Sequence, residues 1–225
     1  MGVYLWQEYN RTPWANTIAY YKLNSSTQLT DSSWNNRTLS NSKWTAPTFW
    51  TYWGVDCMYI SSPCNLVNST NISLAWTWTS TICWWYYKTA NPNNDNWHIF
   101  SIWYSTTLQN QYSVITYWNW LWSLYWPFMR CYNNQRTSAA SVSSWWHLYV
   151  AIRNWANWTF YVDGIQKWTL SSADTSVTGN IIWIWRYDSY ERCAFGYFSE
   201  VIFEDKARTA QEIADYYNWT KWNYL

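Results

Sequence analysis

Apolar and polar positions alternate along most of the chain, in short runs set between clusters of Asn, Ser and Thr. A period of two sends successive side chains to opposite faces of an extended backbone. The runs predict strands over 18–23, 58–60, 81–87, 98–104, 112–117, 128–132, 147–153, 159–162, 165–168, 181–184 and 198–203. Short strands at regular spacing, with turn residues between them, predict an all-β domain of two packed antiparallel sheets. One segment breaks the period. Thr209-Ala210-Gln211-Glu212 is a capping box, in which the Thr and Glu side chains satisfy each other's backbone amides. Ile213, Tyr216 and Tyr217 follow at helical spacing. A short C-terminal helix closing one end of the sandwich is therefore expected. No solenoid repeat divides the chain, and residues 1–16 read as a leader joining a single domain, 17–225, to a preceding region.

Charge narrows the function classes. Charged residues make up 12% of the chain and the formal net charge is +1, so the clustered Lys and Arg of a nucleic-acid footprint are missing. The polarity is carried by Asn, Ser and Thr, which suits hydrogen bonding to neutral ligands, sugars among them. No apolar run approaches the roughly 20 residues that span a bilayer. The opening Met1-Gly2-Val3-Tyr4-Leu5-Trp6 lacks the regions of a signal peptide. The chain either stays inside the cell or is a piece of a longer exported polypeptide. The cysteines are Cys57, Cys64, Cys83, Cys131 and Cys193, with no CxxC pair, and only two histidines accompany them, so a zinc site is not expected. Cys57 and Cys64 are close enough in sequence to bridge a small loop, and a fully reduced, buried set is an equal alternative.

Twenty-five tryptophans stand against five glycines. An ordinary chain has about 7% glycine, and a turn-rich β fold needs at least that. The positions sharpen the anomaly. Asn154-Trp155 falls between two strands, where a hairpin favours Asn-Gly. Trp219 falls near the helix end, where glycine takes the left-handed cap. Trp118, Trp120 and Trp122 alternate in one short run. A UGA codon read as glycine in the host but translated as tryptophan accounts for this pattern. Trp84 or Trp85, Trp97, Trp146 and Trp158 lie in strand contexts that suit a genuine indole. If all are authentic, they offer sugar-stacking surfaces instead.

Three segments carry a resemblance. WHLYVAIRNWANWTFYVDGIQKW, from Trp146 to Trp168, resembles the strand-hairpin-strand of laminin-G-like jelly rolls. FGYFSEVIFEDKARTAQEIADYYN, from Phe195 to Asn218, resembles their last strand and closing helix. NTIAYYKLNSSTQLTDSSWNNRTLSN, from Asn16 to Asn41, resembles their opening strand and first loop, with glycine usual where Trp34 stands. The resemblance implies a concanavalin A-like jelly-roll sandwich with a short C-terminal helix, one module of a larger extracellular, cell-surface or virion-surface protein. It implies a glycan or a cell-surface protein as partner, and in some relatives a calcium ion at the rim.

That implication picks out two loops. Gln109 and Asn110 lie in one, Arg186 and Asp188 in the other, and Asp188 is the carboxylate through which calcium would be held. Calcium takes six to eight oxygens, usually several of them charged, so one carboxylate is a poor set; no other cofactor is indicated. Asp31, Asn35, Asn36 and Asp163 are read as turn residues. The enzyme alternative is a β-glucanase-like glycosidase, a class sharing this fold. Glu200 and Glu204 share a strand face, but Ile202 stands between them where such enzymes carry an aspartate. The expectation is a non-catalytic module that binds carbohydrate or mediates adhesion, with a structural spacer and the glycosidase as alternatives.

Overall fold

Strands appear wherever the alternating runs lie, and their hydrogen bonds gather them into two antiparallel sheets. The computed structural model describes residues 16–41, 46–61, 66–67, 79–89, 97–103, 112–118, 125–130, 143, 145–171, 181–184 and 196–225. In chain order the strands are β1 (Thr17–Tyr21), β2 (Ser40–Asn41), β3 (Thr48–Tyr52), β4 (Val55–Ile60), β5 (Leu66–Val67), β6 (Thr79–Lys88) and β7 (Trp97–Trp103). They continue with β8 (Tyr112–Trp118), β9 (Tyr125–Arg130), β10 (Trp146–Asn154), β11 (Asn157–Val162), β12 (Ile165–Leu170), β13 (Ile181–Ile184) and β14 (Gly196–Glu204), before helix α1 (Ala210–Thr220). One sheet runs β12-β11-β10-β6-β14-β4-β3, with β1 also on β14; the other runs β2-β5-β13-β7-β8-β9. The expected leader lies outside the described residues, apart from Asn16, whose carbonyl accepts from the Asp205 amide at 3.0 Å.

Strand β14 organises the larger sheet. Its first half pairs with β4 and its second with β1, while β6 runs along its other side. Strands β6, β10 and β14 read as nearly unbroken apolar runs because both their faces are covered. On the inner face Ile82, Trp84, Tyr86, Tyr149, Ala151, Phe160, Phe198 and Phe203 form a core that Leu66 of the smaller sheet joins. On the outer face Cys83, Trp85, Trp146, Leu148, Val150 and Ile202 pack beneath Ile213 and Tyr216 of α1. An antiparallel sheet commonly leaves one face to water. Here the helix takes that place.

Both halves of the capping box form. The Thr209 hydroxyl accepts from the Glu212 amide at 3.2 Å, and Glu212 Oε2 accepts from the Thr209 amide at 2.7 Å. The expectation of a left-handed residue at Trp219 is corrected: Trp219 lies inside α1, and Lys221 caps it in the right-handed region at φ −54°. The chain tightens there into a 3-10 turn, Lys221–Asn223. That turn brings Tyr224 back onto Trp85, with ring centroids 3.9 Å apart.

The hairpin expected around Trp155 is found, with Trp155 at φ +56° between the paired Asn154 and Asn157. Trp53 repeats the pattern at φ +51°, beside Gly54 at φ +80°. A bulky residue in this region is an outlier. In the first loop Trp34 is exposed, and Asn36 supplies the positive φ. Trp84, Trp85, Trp146 and Trp158, which suited an indole, are all buried.

Candidate functional site

The loop residues Gln109, Asn110, Arg186 and Asp188 lie outside the described residues. Among the described residues, no three His, Cys, Asp or Glu side chains gather as metal ligands.

Glu200 and Glu204 do share a face of β14, the one under α1. Glu200 accepts hydrogen bonds from the Tyr20 hydroxyl at 2.6 Å and the Tyr216 hydroxyl at 3.0 Å. Glu204 pairs with Arg208, whose Nε donates to Oε2 and whose Nη2 donates to Oε1 at 2.8 Å. Burial raises the Glu204 pKa above the usual carboxylate range, against the pull of the guanidinium. The two carboxylates thus fasten α1 and its approach to the sheet.

The Asp163–Gly164 turn joins β11 to β12, both residues having positive φ. Asp163 Oδ1 accepts from the Leu148 amide at 3.0 Å, and Oδ2 lies 2.6 Å from His147 Nδ1. Ser143 Oγ sits 3.0 Å from the other ring nitrogen. This chain of contacts holds the turn against β10. Asp31 plays the corresponding part in the first loop, accepting from the amides of Tyr20, Ser33 and Arg37 at 2.9, 2.8 and 2.7 Å. The turn reading of Asp31 and Asp163 agrees with these bonds.

The surface that stands out lies on the outer face of the larger sheet, beyond the end of α1. Register places Tyr59, Tyr197, Tyr87 and Trp146 side by side across β4, β14, β6 and β10. Tyr52, from the end of β3, stacks on Tyr197 with centroids 3.8 Å apart and planes 8° apart. Tyr59 covers the opposite side of Tyr197 at 4.5 Å and 23°. Tyr87 meets Tyr52 and Tyr197 edge-on, at 4.9 and 6.0 Å. The three stacked rings are half-buried. Among the described residues, no hydrogen bond is found to the hydroxyls of Tyr52, Tyr59 or Tyr197. Burial raises the pKa of Tyr197, and the neighbouring Tyr59, Tyr52 and Cys57 raise it further, so its phenol keeps its proton well into the alkaline range.

Next to this stack opens a cleft of about 450 Å³ between the β3–β4 turn and the C-terminal residues. Trp53 and Gly54 line one side, Trp222 and Asn223 the other, and Asp56 and Ser199 also contribute. Trp53 and Trp222 are 69% and 68% exposed. The Asp56 carboxylate accepts from the amide of Ser25 at 3.0 Å and from its hydroxyl. The Ser199 and Tyr224 hydroxyls lie 2.8 Å apart. The walls thus offer hydroxyl and amide groups with the Asp56 carboxylate, beside a row of phenols. Sequence reasoning missed this site because its tyrosines are scattered over β3, β4, β6 and β14, with no motif among them.

No known family matches the chain, and no curated protein matches its sequence. Solved structures do resemble it. The fourth domain of an extracellular arabinanase from Geobacillus stearothermophilus, solved in complex with arabinotriose, superposes with a TM-score of 0.68 at 10% identity, covering 89% of this chain and 97% of that domain. A structure of botulinum neurotoxin type C, whose cell entry is described as dependent on two ganglioside molecules, gives 0.66 at 12% identity, covering 91% and 51%. The receptor-binding domain of botulinum neurotoxin type G gives 0.63 at 12% identity, covering 92% and 52%. This chain spans about half the length of the toxin chains. At such identities the likeness establishes the fold, a two-sheet antiparallel β-sandwich.

Proposed function

We propose that this chain is a non-catalytic binding module for neutral oligosaccharides, of laminin-G-like or concanavalin A-like character, carried by an extracellular or surface protein. The phenol row and its cleft, on a surface of low charge, are the observation that carries this reading. The whole-domain likeness to an arabinanase domain solved with arabinotriose supports it. The non-catalytic part rests on Glu200 and Glu204, both engaged beneath α1. Among the described residues, no helix is long and apolar enough to cross a membrane. The test is a glycan array probed with the folded domain, with and without EDTA. Binding to neutral oligosaccharides is expected; silence across the array favours the spacer role, and loss with EDTA favours a calcium site at the Asp188 loop.

The proposal extends to the tryptophans. Trp53 and Trp155 are read as glycine in the host, together with Trp34, whereas Trp84 or Trp85, Trp97, Trp146 and Trp158 are read as genuine. In support, Trp53 and Trp155 are exposed at positive φ. Intact-mass and peptide mass spectrometry of the protein from its own host decide it. Tryptophan at Trp53 and Trp155 in the native protein ends the recoding reading and adds an exposed indole to the cleft.

A further inference from the structure

We infer that the stacked phenols Tyr52, Tyr197 and Tyr59, with the cleft beside them, are where the ligand binds, and that they hold a short neutral oligosaccharide through hydroxyl hydrogen bonds without a metal ion. This assignment rests on the glycan-binding reading above and gives it a location.

The first argument is hydrogen-bonding capacity. A phenol both donates and accepts, as each sugar hydroxyl does. Among the described residues these three hydroxyls have no internal partner and are not buried from solvent, so they are free to exchange water for a ligand. The ring faces of Tyr197 are already occupied by Tyr52 and Tyr59. What this stack presents to a ligand is therefore its edge and its hydroxyls, a surface for polar recognition.

Ring geometry supplies the second argument, because the stack is built in advance. Two close parallel contacts fix three rings, so few rotamers remain to be frozen when a ligand arrives. Ordering side chains is one of the costs of association, and a preformed row reduces it.

The third argument is charge. The cleft walls present Ser199, the Asn223 amide and Asp56, the last already bonded to Ser25. Among the described residues, no Lys or Arg side chain lines the cleft to receive an anionic sugar, Lys221 lying instead 5.1 Å over the Trp222 ring. Strands lie about 4.8 Å apart, so the registered row from Tyr59 through Tyr197 to Tyr87 extends for roughly 10 Å before it reaches the buried Trp146. That length accommodates about two linked sugar rings.

The tyrosines carry this assignment whether Trp53 is tryptophan or glycine. The experiment is isothermal titration of the folded domain with arabinotriose, xylotriose, cellotriose and maltotriose in EDTA, repeated on the triple variant Tyr52→Phe, Tyr59→Phe, Tyr197→Phe. These changes remove hydroxyls that make no internal bond, so the thermal unfolding midpoint is expected to stay unchanged. At least one trisaccharide should bind the parent, and the triple variant should lose about tenfold or more in affinity, a net hydrogen bond being worth about 1 kcal/mol. A second variant, Asn223→Arg, fills the cleft from its other wall and should weaken the same ligand. Unchanged affinity in both variants overturns the site while leaving the glycan-binding function standing. A parent that binds none of the four overturns both, as does a protein ligand that alone occupies this face. Binding that appears only when the titration is repeated with calcium in place of EDTA overturns the metal-free assignment.

Discussion

A Cβ built on Gly164 would lie 3.1 Å from Cβ of Tyr217 and 3.3 Å from the Ala214 backbone, so the β11–β12 turn is docked against α1 at a point where any added side chain is crowded. Gly164 also sits at φ +76°. Two costs therefore meet at one residue, a left-handed backbone and a close approach. Gly164→Ala should destabilise the domain by about 1–3 kcal/mol, read from urea denaturation. Gly54→Ala is the control. It has a similar φ of +80° but nothing within 4 Å of its Cβ, so it should cost less. Equal losses at both sites would mean that docking on the helix contributes nothing.

The Glu204–Arg208 pair is the second test. The two side chains are 2% and 8% exposed, and removing one partner of a buried pair leaves the other charge unsolvated. Arg208→Met should cost about 3–5 kcal/mol. Adding Glu204→Leu should recover much of it, because the stranded carboxylate is gone. A single variant as stable as the parent would show that water reaches the pair.

Two glutamates predict opposite pH behaviour. Lys206 and the Thr209 amide hold Glu212 down at about 2. Its contribution is present above the ordinary carboxylate value and is lost as pH falls from there toward 2. Glu204 is raised, so its protonated form favours the fold, and that contribution fades as pH rises through its elevated value. Unfolding midpoints of the parent and Glu212→Gln should converge toward pH 2 and separate near neutrality. Glu212 is more than a third exposed, so the separation should be modest and should shrink in high salt. A difference that persists at pH 2 would assign the effect to packing.

Cys57 is a buried free thiol that donates to the Trp50 carbonyl at 3.3 Å. Burial chiefly, with Asp56 adding to it, pushes the thiol up to about 12 against the opposing pull of the Tyr52 backbone amide. Cys64, the partner that the sequence offered for a disulfide, lies outside the described residues, and Cys57 is free. Iodoacetamide should label Cys57 at the rate of opening in native buffer and rapidly in urea, as followed by peptide mass spectrometry. Fast native labelling would place the thiol at the surface.

The local chemistry of the chain determined much of this. The two-residue period marked the longer strands because their apolar side chains must leave water. The capping box marked α1 because its partners lie three residues apart and need nothing else. The left-handed turns at Trp155 and Asp163 were also legible, since a hairpin between two alternating runs demands positive φ. Strand β3 escaped notice because its side chains are mostly exposed, so no buried face imposes a period. Strands β2 and β5, at two residues each, are too short to show one. Only the tertiary structure decided which glutamates are buried under α1, why Trp219 stays helical, and how Tyr52, Tyr59, Tyr87 and Tyr197 meet. Their meeting depends on β14 pairing with β4 on one side and β6 on the other. Such register is a long-range property that no neighbouring residue encodes, because it is set by the packing of both sheet faces at once.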